Sequence, residues 1–150
     1  MGLFGKLTST AHHPDSGVGP LPGPQVEAAL LAVDSPDVPY VVRKALPSER
    51  ADLVAVWEVP RLRVTLRTRM RLIHADHEVR SIDEKWDRRE REYGRGQVTA
   101  VTRFWEFERG PDGRRHRKEV FRFDPSEMKT PLRNAVLGAG WTWRGMKFRL

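Results

Sequence analysis

Arg61–Ile73 reads R-L-R-V-T-L-R-T-R-M-R-L-I, and this alternation decides the fold class. Leu62, Val64, Leu66, Met70 and Leu72 occupy one set of positions; Arg61, Arg63, Arg67, Arg69 and Arg71 occupy the other. A helix would scatter both sets around its axis. A strand puts the aliphatics on one face and five arginines on the opposite face. Thirteen residues at 3.3 Å each would span about 43 Å, so a bend or bulge is expected.

Strand signals continue on both sides. Leu53–Val59 (LVAVWEV) is apolar on both faces and reads as a central, covered strand, with Tyr40–Leu46 as a neighbour. His74–Glu78 reads as a turn. Val79–Asp87 fits either a strand or a helical stripe through Val79, Ile82, Trp86 and Tyr93; the hairpin partner just upstream favours the strand. The predicted register sets Met70 opposite Ile82, Leu66 opposite Trp86 and Arg69 opposite Asp83. A slip of one residue would set Leu66 against Lys85 and Met70 against Ser81, spending the apolar face on polar partners. Arg88–Gln97 is predicted as a charged loop. Val98–Glu108 and Arg115–Phe123 flank the turn Gly110-Pro111-Asp112-Gly113 and predict a second hairpin, with Phe104 opposite Val120 and Glu106 opposite Lys118.

Two short helices complete the pattern. Pro24 opens one over Gln25–Val33, with Val26, Ala29, Leu30 and Val33 at helical spacing. Asp124-Pro125-Ser126-Glu127 is a helix-start pattern limited by Pro131, after which Leu132, Ala135, Val136 and Ala139 form the stripe of a helix over Pro131–Ala139. Trp141–Leu150 closes as a strand with Gly145 at a bulge. The expected class is α+β, mainly β: an antiparallel sheet or partly closed barrel of six or seven strands with two short helices. The domain is expected over 25–150. Residues 1–24, with Pro14, Pro20, Pro22, Pro24, Gly17, Gly19 and Gly23, read as a flexible N-terminal segment and linker. Met1–Leu7 (MGLFGKL) lacks the features of a signal peptide and of a myristoylation site. It reads as a frayed terminus, with a weak membrane-surface anchor as the alternative.

Composition bounds the chemistry. The 150 residues include 39% hydrophobic residues, enough for one core. Cysteine is absent, which excludes disulfides, thiolate metal sites and cysteine nucleophiles and suits a reducing compartment. No apolar run approaches the ~20 residues of a membrane span. The location expected is cytoplasmic, or peripheral to the membrane. Net charge is +7, and of 27 basic residues only six are lysine, leaving 21 arginines. Arginine's fixed fork of donors suits carboxylate and phosphate, and its plane stacks on aromatics. Arg63, Arg67, Arg69 and Arg71 are therefore the anion-binding candidates. The alternative is a solvated face whose acids, Asp83 and Asp87 among them, neutralise the arginines.

No GxSxG, Walker A or GxGxxG motif occurs, so no catalytic residues are assigned. His74 and His77 lack an evident third ligand, so no metal site is assigned. The acids Asp83, Glu84, Asp87, Glu90 and Glu92 interleave with bases and read as ion pairs rather than an acid–base couple. No cofactor is implied. Five tryptophans are many for this length. Trp141 and Trp143 share a face of the last strand and are the candidates for an exposed aromatic surface, although filling the core explains tryptophans in apolar strands more simply.

The segments Pro39–Arg43 (PYVVR), Ala51–Glu58 (ADLVAVWE), His77–Trp86 (HEVRSIDEKW) and Gly140–Arg144 (GWTWR) resemble a family of small uncharacterised actinobacterial proteins over about residues 37–145. That resemblance implies a shared fold and no assigned activity; such proteins tend to carry more residues after the position of Val59. A more distant likeness is to tubby C-terminal-like domains, β-barrels with a helix near the C-terminus, some of which bind anionic phospholipid. That class has more strands and a longer apolar helix, and no binding residue is carried over from it. The function expected is a non-catalytic binding or accessory module for an anionic partner (phospholipid, protein or nucleic acid). The alternatives are a nucleic-acid-binding module and an enzyme with an unrecognised pocket.

Overall fold

The alternating stretch forms the middle of the sheet in the computed structural model, which describes residues 9–150; the Met1–Leu7 segment lies outside the described residues. In chain order the elements are β1 (Ser9–His12), α1 (Gly23–Leu31), β2 (Val41–Lys44), β3 (Leu53–Val59), β4 (Val64–Ile73), β5 (Glu78–Asp87), β6 (Glu92–Gly96), β7 (Thr102–Arg109), β8 (Arg115–Phe123), α2 (Ser126–Gly138) and β9 (Thr142–Met146). The fold is α+β and mainly β. Seven strands form one open sheet in the order β1-β9-β5-β4-β3-β2, with β6 also paired to β5, while β7 and β8 form a separate two-stranded ribbon. The sheet does not close into a barrel, and it is mixed rather than antiparallel throughout, because β9 runs parallel to β5. The outer edge of β5 is divided: Glu78–Ser81 pair with β9, and Asp83–Asp87 pair with β6.

On β4 burial alternates without exception from Val64 to Ile73, as the sequence pattern demands. The strand is shorter than predicted. Pro60 starts a 3-10 turn over Pro60–Leu62, and Arg63 takes a left-handed conformation (φ 53°) before β4 begins. Arg61 and Arg63 thus sit on the turn, and only Arg67, Arg69 and Arg71 share the arginine face.

The register of the β4–β5 hairpin differs by one residue from the prediction. Leu66 pairs with Lys85, Met70 with Ser81, Thr68 with Asp83 and Arg67 with Glu84. The reason lies in the connection and in the burial of β5. Residues His74–Asp76 make a 3-10 turn closed by His77 at φ 47°, which fixes Ile73 opposite Glu78. β5 is then covered on both faces: Val79, Ser81 and Asp83 are buried on one, Glu78, Ile82 and Glu84 on the other. With both faces covered, the core side takes polar residues too: the Asp83 carboxylate accepts hydrogen bonds from the Thr68 hydroxyl and the Val98 N–H, while the Ser81 hydroxyl is buried without a partner among the described residues.

Both helices lie on the face carrying Leu53, Ala55, Trp57, Leu66, Met70, Val79 and Trp143. α1 contributes Val26 and Leu30, and α2 contributes Met128, Leu132 and Val136, all fully buried. α2 is one continuous helix although Pro131 lies inside it. Proline cannot donate to the carbonyl four residues earlier; that carbonyl, on Glu127, accepts a 3.4 Å hydrogen bond from the Tyr40 hydroxyl instead. The carbonyl that Pro131 leaves without its helical donor thus keeps a partner, and the expected break at Pro131 is not seen.

Residues 9–24, predicted as part of a flexible linker, are built into the domain. β1 pairs with β9. Leu21 N–H donates to the Ala139 carbonyl (2.9 Å), and the Trp141 indole donates to the Leu21 carbonyl (2.8 Å). The strap crosses Gly140, whose φ is +77° and where a Cβ would stand 2.3 Å from the Gly19 carbonyl oxygen. Only glycine admits both the conformation and the approach. Proline and glycine here shape a strap that returns to the sheet rather than a free linker.

Candidate anion site

The side of the sheet away from the helices is built from residues that the register places together. Arg43 (β2), Arg67, Arg69 and Arg71 (β4), Arg80 (β5), Arg95 (β6) and Arg144 (β9) all reach it. Beneath them Val54 and Ile82 are fully buried, flanking Arg69 on the neighbouring strands. Aliphatic stems cover these residues while the guanidinium groups stay at the surface.

Two sets of carboxylates occupy part of this arginine field. The turn Pro47–Glu49 brings Glu49 over the strands, where it binds Arg43 (2.7 and 3.1 Å) and Arg67 (3.1 Å) and accepts from the Leu46 N–H (2.8 Å). The hydrogen bonds from Arg43, with support from the Leu46 N–H and the charge of Arg67, hold its carboxyl down at about 2. Glu84 accepts from Arg67 (2.8 Å), Arg69 (2.6 Å) and the Tyr93 hydroxyl. Burial pushes Glu84 upward, but the hydrogen bonds from Tyr93, Arg67 and Arg69 outweigh it and hold it below the usual carboxylate range. Tyr93 is raised in turn, by burial and by its bond to Glu84. A separate trio joins Glu78 to Arg80 (2.8 Å) and Arg144 (2.6 Å).

What these carboxylates leave unoccupied is a cleft of about 230 Å³ lined by Arg50, Arg69, Arg71, Arg95, Arg149 and Leu150. Among the described residues no carboxylate lies within ion-pair distance of Arg50, Arg71, Arg95 or Arg149. Two of the arginines are fixed in place by the turn beside them. Arg69 donates to the Glu49 carbonyl (3.1 Å), and Arg71 donates to the Arg50 carbonyl (2.6 Å). Each keeps further N–H donors free, since a guanidinium carries five. The cleft is therefore a partly pre-set ring of donors with excess positive charge, the arrangement suited to an oxyanion.

The sequence candidates divide accordingly. Arg69 and Arg71 line the cleft. Arg67 does not: it is held between Glu49 and Glu84, with its guanidinium 5.0 Å from the centre of the Trp86 ring. Arg63 lies elsewhere, in a shallow groove with Glu58, Pro60 and Arg88. Asp83, predicted opposite Arg69, is on the core side and bonded to Lys129 (2.7 Å). Trp141 and Trp143 are 1% and 3% exposed and form no surface. Trp141 packs against His74 and His77, with ring centroids 5.7 and 5.5 Å apart, so the two histidines meet an indole. Among the described residues no group of three or more His, Asp or Glu is placed to hold a metal ion, and no helix is long and apolar enough to cross a membrane. Arg50, Arg95 and Arg149 were missed because they come from a turn, from a segment read as loop, and from the tail. The hairpin register of β6, which sets Arg95 opposite Glu84, is the signal that would have found one of them.

A second, smaller groove holds His12 beside Lys129 and Arg133. Burial, and then the charge of Arg133, hold His12 below its ordinary value. Among the described residues no carboxylate lines that groove to orient the imidazole. Comparison with protein-family models, with curated proteins and with solved structures finds no match.

Proposed function

We propose that this protein is a non-catalytic binding module for an oxyanion-bearing partner, with the five-arginine cleft as its site. The observation that carries the reading is the cleft itself: four of its five arginines have no carboxylate partner among the described residues, while their neighbours on the same face are neutralised. An arginine lining supplies charge and N–H donors, but no group that gives or takes a proton near neutral pH. Binding is the chemistry it favours. The partner's group is phosphate- or carboxylate-like, since planar guanidinium forks match both.

The test is titration of inorganic pyrophosphate into wild type and the Arg71→Ala/Arg95→Ala variant, at low and physiological salt. Arg71 and Arg95 are chosen because neither neutralises a buried acid; changing Arg67 would release Glu49 and Glu84. Wild-type binding that weakens with salt, and at least tenfold in the variant, supports the reading. Absence of wild-type binding at low salt, or equal affinity of a correctly folded variant, refutes it.

A further inference from the structure

The β7–β8 ribbon stands apart from the sheet and carries a feature the cleft does not explain. Its base is anchored by Phe123, which is buried and packs edge-on against Trp57 (4.8 Å), and by the half-buried pair Phe104–Phe121. Beyond Phe104 every residue of β7 is exposed. Pairing is Trp105 with Glu119, Glu106 with Lys118, Phe107 with Arg117, Glu108 with His116 and Arg109 with Arg115, after a register shift between Phe104 and Trp105.

Strand alternation then sorts the ribbon into two unlike faces. One carries Trp105 and Phe107 with Arg103, Arg109, Arg115 and Arg117, and Glu119 as its acid. The other carries Glu106, Glu108, His116 and Lys118. On the first face Arg117 lies 4.2 Å from the centre of the Trp105 ring and Arg115 lies 5.8 Å from that of Phe107. Planar cation and ring thus alternate along the ribbon. Trp105 is 39% exposed and Phe107 is 67% exposed, and none of these four arginines is ion-paired among the described residues.

We propose that this face binds single-stranded nucleic acid, bases stacking on Trp105 and Phe107 and phosphates meeting the arginines. Stacking on aromatic and guanidinium planes together with backbone neutralisation is how single strands are held without sequence readout. Residues two apart on a strand are about 6.8 Å apart, twice the 3.4 Å spacing of stacked bases, so a base fits between successive rings once a guanidinium swings aside. The exposed cation–π contacts it would displace are weak. A duplex hides the faces of its bases and offers the rings nothing to stack on. A bilayer fits less well, because the ribbon is one layer thick: sinking Trp105 and Phe107 would draw Glu106 and Glu108 into the interface. A strand of nucleic acid instead lies along one face and leaves those acids in water.

The experiment measures anisotropy of a labelled 15-nucleotide thymidine strand with the full chain at 50 and 200 mM salt. Binding is expected at 50 mM salt and is expected to fall steeply with salt, as counterion release requires. Trp105→Ala/Phe107→Ala is expected to lose roughly 5- to 150-fold in affinity, the range for removing one stacked base. Trp105→Phe retains a ring and is expected to stay within about threefold on the same argument. The Trp105→Ala/Phe107→Ala variant is expected to bind inorganic pyrophosphate like wild type, because pyrophosphate has no base to stack on the rings, and this separates the ribbon from the proposed cleft. Four outcomes overturn the inference: no binding at 50 mM salt; unchanged affinity in the ring-deleted variant; equal affinity for a duplex of the same length; or ring-dependent binding to phosphatidylserine vesicles with none to the oligonucleotide. Trp105 and Phe107 are exposed, so the ring variants are expected to keep the wild-type unfolding midpoint.

Discussion

Lys129→Met should be among the most damaging single changes on the helix side of this molecule. Asp83 lies on the core face of β5 with no exposed surface, and Lys129 reaches down from α2 to within 2.7 Å of its Oδ2, with 14% of the lysine side chain exposed. The carboxylate also accepts from the Thr68 hydroxyl (2.7 Å) and the Val98 N–H (2.8 Å). Methionine fills a similar volume, so the change deletes charge rather than packing. Breaking a buried pair by removing one partner costs about 3–5 kcal/mol. The two remaining donors keep some stabilisation, which places the expectation near the low end, at about 3 kcal/mol. At 2–4 °C per kcal/mol for a chain of this size, Tm should fall by roughly 6–12 °C. The assay is urea unfolding at pH 7 followed by tryptophan fluorescence, run as a cycle with Asp83→Asn and the double variant. The double variant should cost less than the sum of the single changes, with a coupling of about 1–3 kcal/mol. A loss below about 1 kcal/mol for Lys129→Met, or strictly additive losses, would refute the claim that this pair ties α2 to the sheet.

Two further outcomes follow from the geometry. Glu49, whose folded carboxyl is held at about 2 rather than 4.5, contributes stability that is complete above pH 4.5 and lost as pH falls toward 2. This amounts to at most about 3 kcal/mol at neutral pH; Glu49→Gln should flatten that part of the acid-unfolding curve, and an unchanged acid limb would argue against the Arg43 contact. Gly140→Ala forces a side chain into a positive-φ position against the Gly19 carbonyl and should cost about 1–3 kcal/mol; a thermal melt matching wild type would show that the strap does not press on the sheet.

Strands were legible where one face is covered and the other is not. Val64–Ile73 alternates, and both the strand and its inner face could be read from it. β5 is covered on both sides, so its sequence carries no cue to which side is inner, and the one-residue slip in register follows. Asp83 shows why: a carboxylate inside a core looks like a surface residue until Lys129, Thr68 and Val98 are seen around it. The parallel pairing of β5 with β9 joins segments more than 60 residues apart, beyond the reach of any local pattern. The site was half legible. Arg69 and Arg71 stood out by periodicity, and Arg50, Arg95 and Arg149 did not because spatial convergence, not spacing, brings them to the cleft. On the ribbon, the predicted pairing of Glu106 with Lys118 holds and already sets Phe107 opposite Arg117; the shift between Phe104 and Trp105 alters only the base, where Phe104 pairs with Phe121 rather than with Val120.

The placement of β1 against β9 also sets an order in time. The Arg144–Ser9 hydrogen bond spans 135 residues and the Trp141–Leu21 bond spans 120, whereas the β3–β4–β5 meander is built from contacts between consecutive strands. Loop closure must be met before distant contacts repay it, so short-range pairings form more readily and long-range ones slow the chain. The meander can therefore assemble while the edge that will receive β9 and β1 is still open. Until α2 has docked and β9 has come in alongside β5, that edge offers unpaired backbone groups to any passing strand. The vulnerable interval in the life of this chain is then its folding: crowded refolding should favour strand exchange at the β5–β9 edge, and slow dilution should suppress it.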